Sequence, residues 1–301
     1  MPFAGPFHPL RLKDKPVLEP PLRESESFLS AYTFASHYLW HRTLNYFWTE
    51  REQTVYLFAG YEGLTYMPVP PLGKLTPETV ETAFKFMEKG NRNPTASRIE
   101  NVDSGQAAFY RSLGYTATPG DPEYLYRQGD MAGLPGNRFK SKRASCNFFE
   151  RGHPKAALSP YAPADRGGCL HLHDRWFENR RKKFNDPYYR ALLEDSREAH
   201  RIALSHARSL GLTGRVLRIE GEIRGYTFGA PRGEETFCIL LEIAEPETQG
   251  ISQYLFREFC REASGYPIIN VLDDSGLENL RRVKLSYHPF KAAIPYTIRR
   301  A

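Results

Sequence analysis

Turn and breaker residues divide this 301-residue chain into much the same order of elements twice. Apolar spacing at Phe28, Tyr32, Ala35 and Leu39 predicts a helix over about 28–40. Three short strands follow near Tyr46, Val55 and Leu64, the last two parted by the turn Gly60-Tyr-Glu-Gly63. Pro70-Pro71 breaks the chain and Thr76-Pro77 starts a second helix. Residues 97–101 read as extended, a helix from Ser104 stops at Gly114, and strands at Tyr115 and Tyr124 come next. The second half opens with a long helix over 187–210 that ends at Gly211. A hairpin runs 216–219, turns at Glu220-Gly221 and returns along 223–228; then come a strand at 236–243, a helix at 251–263 and a strand at 267–272. The last helix has the Ser275/Glu278 capping-box spacing and one apolar face of Leu277, Leu280 and Val283. It is expected to end at Lys284 and to run into an extended segment carrying Ser286 and Tyr287, closed by Pro289. Two like units follow from this order, in an α/β (α+β) fold divided as 1–135 and 136–301, with the seam inside 130–163.

Composition narrows the function classes. No apolar run approaches the ~18 to 20 residues that span a bilayer, and the proline-rich N-terminus lacks the apolar core of a signal peptide. A cytoplasmic protein is expected, which would reach any lipid from the inner membrane surface. Cys146, Cys169, Cys238 and Cys260 form no close pair and no metal-like spacing, so free thiols are expected. The formal charge of +6 is uneven: residues 136–215 hold 17 Lys and Arg against 8 Asp and Glu, and the rest of the chain is slightly acidic. An anionic partner fits such a middle, and so does a solvated basic face.

The order helix, antiparallel strands, helix, strand resembles an N-acetyltransferase-like (GNAT) domain, and Ala107-Ala-Phe-Tyr110 through Leu113-Gly-Tyr115 resembles the segment before a GNAT Gly-aromatic strand. A closer likeness lies in Gly276-Leu-Glu-Asn-Leu-Arg-Arg-Val-Lys-Leu-Ser-Tyr-His-Pro289. It is similar to the closing motif of the bacterial phosphatidylglycerol lysyltransferase C-terminal-domain family. The run 28–40, the segment Lys140-Ser-Lys-Arg-Ala-Ser-Cys-Asn147 and the hairpin 211–225 resemble further blocks of that family. The resemblance implies a tandem GNAT-like fold related to the Fem-type aminoacyltransferases. It implies transfer of an aminoacyl group from aminoacyl-tRNA to a lipid or peptide acceptor. The rival reading is a GNAT-like module that binds an anionic ligand without catalysis.

Matching positions give the candidate residues. Lys284 would supply positive charge, Tyr287 a hydrogen bond, and Glu242 or Asp274 the proton acceptor; Asn270 and Arg281 also match. Structural roles for Glu242 and Asp274, as a buried partner of Lys284 and as a helix cap, stand beside the catalytic ones. The family's Lys after the glutamate is Ile243 here, and its Arg-Glu pair after the asparagine is Val271-Leu272. Independently of the likeness, Asn137 is placed to cap a helix to about Arg151 whose early turns carry Lys140, Lys142 and Arg143. Cations there oppose the helix dipole unless an anion docks, and Asn147 continues the Lys140–Arg143 stripe. A phosphate site and a solvated basic helix both fit. The run Arg180-Arg-Lys-Lys183, near Trp176, Phe177 and Phe184, has the mix of cations and rings that nucleic-acid contacts use, and a solvated face is the alternative. A pyrophosphate loop for acetyl-CoA is disfavoured, because Glu247 stands where Gln or Arg is expected before Gly250 and Ser252. His171 and His173, read as strand neighbours on one face, lack a third ligand, so no metal is expected. His37 and His41 lack the glutamate of a zinc-protease motif.

Overall fold

The computed structural model describes residues 6–301, so Met1–Gly5 of the proline-rich N-terminus lie outside it. The chain forms two units. The first takes the residues up to Glu123 together with Asp273–Leu277 and Ala292–Ala301; the second takes Tyr124–Leu272 and Glu278–Lys291. This grouping differs from a cut at 135/136 for residues 124–135 and for the C-terminal end.

In the first unit, β1 (His8–Pro9) precedes α1 (Lys15–Glu24) and α2 (Phe34–Leu39). Strands β2 (Asn45–Arg51), β3 (Thr54–Tyr61) and β4 (Leu64–Tyr66) complete an antiparallel sheet in the order β1-β2-β3-β4. Helix α3 (Pro77–Gly90) starts where expected, because Thr76 and Thr79 cap each other's amides at 3.2 and 2.9 Å. Its Val80, Ala83, Phe84 and Met87 recur at helical spacing and are fully buried. Strand β5 (Ile99–Val102), helix α4 (Ser104–Ser112) and strand β6 (Tyr115–Pro119) follow. The helix expected over 28–40 is broken. Ser30 gives its amide and hydroxyl to Glu123 at 2.8 and 2.7 Å, and Thr33 is extended so that its hydroxyl caps α2.

The second unit begins with β7 (Glu123–Arg127), α5 (Gln128–Gly133), α6 (Lys140–Gly152), β8 (Ala157–Pro160) and α7 (Arg166–Lys183). Asn137 sits in a 3-10 turn before α6 and makes no side-chain cap of it. The sequence reading missed α7, which opens on Gly167 and Gly168 and mixes charges into its apolar face. Gly168 lets the helix lie close to β10, since a Cβ would come 2.7 Å from the end of the Ile223 side chain and push it aside. Helix α8 (Pro187–Leu210), hairpin β9 (Thr213–Ile219) and β10 (Glu222–Arg232), strand β11 (Thr236–Ala244), α9 (Ile251–Glu262) and β12 (Ile268–Asn270) lie as expected. Helix α10 (Glu278–Leu285) and β13 (Lys291–Ala293) complete a sheet in the order β13-β7-β12-β11-β10-β9-β8. The last strand, β14 (Tyr296–Arg300), returns to the first unit between β5 and β6.

Both units are GNAT-like, with a pair of parallel strands that meet and then part. In the first, β4 and β5 are tied near one bridge, Met67–Ile99. In the second, β12 runs parallel to β11 for Thr236–Ile268, Phe237–Ile269 and Cys238–Asn270, after which β11 continues to Ala244 without it. The segment after Lys284 is a correction: Lys284 lies in the last turn of α10, and the chain keeps turning through Ser286 and Tyr287. The amides of Ser286, Tyr287 and His288 bond back to Arg282, Lys284 and Leu285 at 2.9 to 3.0 Å, and the Ser286 hydroxyl back-bonds to Val283. Val283, expected on the inner face, is half exposed.

Candidate functional site

Glu242 lies on β11 four residues beyond Cys238, its last pairing with β12. The parting of the strands leaves that stretch facing side chains instead of a neighbouring backbone. Thr227, directly opposite on β10, is within hydrogen-bonding reach of the carboxyl and donates its own proton to the Leu241 carbonyl at 3.1 Å. The side chain keeps some contact with solvent, but Oε2 has none and finds no partner. Burial pushes the Glu242 pKa up to about 8, against the lowering effect of Thr227. The carboxyl is therefore mostly neutral at pH 7.

Tyr287, Cys260 and Lys142 complete the group. Burial, and then the nearby Glu242 carboxyl, holds the Tyr287 and Cys260 pKa values well up. The Tyr287 ring packs edge-on against Phe256 and Tyr126 at 5.0 and 6.2 Å. Lys142, in the first turn of α6, brings its amine to 4.1 Å from the Tyr287 ring centroid. Burial lowers the Lys142 pKa, and Cys146 opposes the shift. An acid shifted up and an amine shifted down thus both lie near Tyr287.

The other expected residues lie elsewhere. Lys284 donates its amine to the Val271 and Leu272 carbonyls at 2.6 and 3.2 Å, and the Asn270 side chain accepts the Leu272 amide at 2.7 Å. Leu272 has φ +64°, so Asn270 and Lys284 hold a left-handed turn. Arg143 donates to the Leu134 and Gly136 carbonyls, closing the left-handed end of α5 at Leu134. Lys140, Asn147 and Arg281 are exposed and reach neither cluster. Asp274 groups with the first unit, where its Oδ1 accepts the Gly276 amide at 3.1 Å. Of the α6 side chains, Lys142 reaches Tyr287, Arg143 turns to the end of α5, and Lys140 and Asn147 stay exposed.

The loop before α9 carries a network the sequence reading missed. Glu245 accepts from Arg224 at 2.6 and 2.8 Å, from Arg175 at 2.5 Å and from Thr248 at 3.0 Å. Burial works to raise the Glu245 pKa, and these bonds outweigh it and bring it down. A cavity of about 260 Å³ beside it is lined by Leu172, Arg175, Trp176, Asn179, Arg224, Glu245, Pro246 and Glu247. Gly250, at φ +83°, is required by packing, since a Cβ would fall 2.3 Å from the Ser145 carbonyl on α6. Glu245 is thus held by two arginines and a threonine hydroxyl just before the loop that leads into α9. The signal for this network was Arg224, opposite the end of β11, and it was readable only once α7 supplied Arg175.

His171 and His173 fall on α7, not on a strand, so they point apart: His171 is exposed and His173 is buried at 4.7 Å from the His200 ring. His200 in turn meets the Tyr226 hydroxyl at 2.9 Å. Among the described residues, no group of three or more His, Cys, Asp or Glu is placed to hold a metal ion. The four cysteines are buried. No described helix is long and apolar enough to cross a membrane.

Comparison with known proteins adds a family. Residues 22–298 match the family described as "Phosphatidylglycerol lysyltransferase, C-terminal". Among solved structures, a conserved protein of unknown function from Bacteroides thetaiotaomicron is similar over 98% of this chain and 99% of its own, with 23% identity and a TM-score of 0.90. L-PGS from Bacillus licheniformis is similar over 95% and 92%, at 18% identity and TM-score 0.68. A C-terminal domain assigned to a lysylphosphatidylglycerol synthetase of Agrobacterium fabrum is similar over 96% and 91%, at 13% identity and TM-score 0.66. At these identities the likeness shows the fold. No curated protein matches the chain.

Proposed function

The chain belongs to the phosphatidylglycerol lysyltransferase C-terminal family, and from that premise we propose that it is an acyltransferase acting on aminoacyl-tRNA, with Glu242, Tyr287 and Lys142 at the reacting centre. The acceptor is an amine or hydroxyl of a lipid or peptide, reached at the inner membrane surface. Its nitrogen or oxygen attacks the ester carbonyl, the new acyl bond forms, and the bond to the ribose oxygen breaks. Lys142, whose amine holds its proton less tightly than usual, takes the proton from the nucleophile. Glu242, neutral at pH 7, gives a proton to the departing ribose oxygen. Tyr287 holds the two apart and in register.

The observation that carries this reading is the Lys142 amine seated 4.1 Å over the Tyr287 ring, near the buried Glu242 carboxyl. Glu247, where a GNAT pyrophosphate loop carries Gln or Arg, supports a donor other than acetyl-CoA. The structural roles of Asn270 and Lys284, and Val271-Leu272 in place of an Arg-Glu pair, favour the rival reading of a binding module. The test is transfer from radiolabelled aminoacyl-tRNA to phosphatidylglycerol vesicles and to amine-bearing peptides. Glu242→Gln and Lys142→Met are expected to cut turnover by about 100-fold or more each while leaving the fold intact. Wild-type turnover in the Glu242→Gln protein would remove Glu242 from the chemistry, and an inert wild type would favour the binding module.

A further inference from the structure

Away from the reacting centre, the second unit carries a cluster of cations that the proposed chemistry does not use. Helices α7 and α8 pack together and are joined through residues 184–186. Residues 180–190 hold five Lys or Arg and a single acid, Asp186. That acid is occupied in capping α8, where it accepts the Tyr189 amide at 2.8 Å. Arg181 pairs with Glu178 at 3.2 Å. Among the described residues, Arg180, Lys182, Lys183 and Arg190 have no carboxylate partner; Arg190 bonds only the neutral Asn185 side chain, at 2.6 Å. Most of the arginines nearby on the same unit behave differently: Arg175, Arg197, Arg215, Arg218, Arg224 and Arg257 each meet an acid.

Helix electrostatics account for part of this cluster and not the rest. Cations in the last turn of α7 answer its negative end, each contributing about 0.3 to 1 kcal/mol. Arg190, however, stands in the opening turn of α8, where a cation is opposed by the dipole. Rings are interleaved with the charges. Arg180 lies 5.5 Å over Trp176, Lys183 lies 5.8 Å from the Phe184 centroid, Phe184 packs on Tyr189 at 4.6 Å, and Tyr188 is 59% exposed. Phosphates seek the cations and bases seek the rings, so this mix matches nucleic acid. A bilayer is the poorer match, because the tip has no aliphatic side chain to insert and Phe184 is turned onto Tyr189.

We infer that the tip of the α7–α8 pair is an RNA-docking surface, with Arg180, Lys182, Lys183 and Arg190 on phosphates and Tyr188 stacked on a base. This extends the proposed function, on which it rests for the source of the RNA. The test is anisotropy of fluorescently labelled, uncharged tRNA titrated with the full chain across a salt series. Wild type is expected to bind, and the triple variant Lys182→Glu, Lys183→Glu, Arg190→Glu to bind at least about tenfold more weakly near 0.1 M salt, with the slope of log K on log salt smaller by about 2. Tyr188→Ala is expected to weaken binding by roughly fivefold to a hundredfold, the loss of one stacked base. Thermal melts should match wild type, since every altered side chain is exposed. Equal tRNA affinity of the triple variant and wild type would overturn the inference. So would binding of phosphatidylglycerol vesicles in place of tRNA. Glu242→Gln separates the two readings: it should bind tRNA like wild type while failing to transfer. If wild type binds tRNA through this tip and transfers nothing, the docking surface stands and the enzymatic reading falls.

Discussion

Replacing Glu242 by Gln should stabilise the second unit at neutral pH, and the gain should grow with pH. Glu242 has a folded pKa of about 8 against an ordinary value of 4.5. A carboxyl with a raised pKa leaves the fold fully stable below pH ~4.5, and stability is lost as pH climbs toward the folded value. The difference of roughly 3.5 units sets a ceiling of about 5 kcal/mol, reached above pH ~8, and at pH 7 the cost is about 3 kcal/mol. Gln is nearly isosteric, keeps an amide for Thr227 and cannot ionise. The advantage of Glu242→Gln over wild type should therefore rise by about 1.4 kcal/mol per pH unit between roughly pH 5.5 and 7.5. Urea unfolding at several pH values measures it, followed through Trp176 in a Trp40→Phe, Trp48→Phe background so that the second unit is read alone. Tyr287 and Cys260, the groups beside Glu242, have pKa values held well above this window and do not contribute. Burial lowers the His173 and His200 pKa values alike in both proteins, so their effects cancel in the comparison. A pH-independent difference between the two proteins would refute the assignment of a buried, neutral Glu242.

Two further outcomes follow from packing. Lys284→Met should lower stability by about 1 to 3 kcal/mol, because the Val271 and Leu272 carbonyls lose a charged donor, and adding Leu272→Gly should recover part of it by relieving the left-handed turn; absence of any recovery in thermal melts would show that the turn is not what Lys284 supports. Gly250→Ala should cost at least about 2 kcal/mol in the same urea assay, since its Cβ meets the Ser145 carbonyl at 2.3 Å at a positive φ, and a near-neutral effect would mean that α6 and α9 separate easily.

Much of the fold was legible because local chemistry and tertiary packing agree in it. Thr76-Pro77, Asp103 before α4 and Gly211 after α8 mark helix ends by their own hydrogen bonds or backbone freedom. The errors fall where a distant partner decides. Ser30 bonds to Glu123, 93 positions away, and no spacing rule around residue 28 contains that carboxylate. Helix α7 was hidden because its interior face is made of Cys169, Leu172, His173, Trp176 and Phe177 after two glycines, a stripe that a polar sequence masks. At the candidate site, Glu242 and Tyr287 were readable from a motif, but Lys142 was chosen for its charge at a helix start. Its place over Tyr287 depends on how α6 lies against the rest of the second unit, which sequence does not state. Lys284 was read as a catalytic cation because a buried amine needs an answer, and the backbone carbonyls of Val271 and Leu272 supply one.

The return of β14 to the first unit has a consequence for biosynthesis. Tyr296–Arg300 is the middle strand between β5 and β6, so that sheet has no centre until residues 296–300 have been made. At ordinary ribosomal speeds, the roughly 180 residues separating β6 from β14 take on the order of ten to forty seconds to synthesise. Throughout that interval, Ile99, Val102 and Tyr115 wait for their partner while the whole second unit can form. A stop codon before residue 296 would therefore leave β5 and β6, made far earlier, without the strand that joins them.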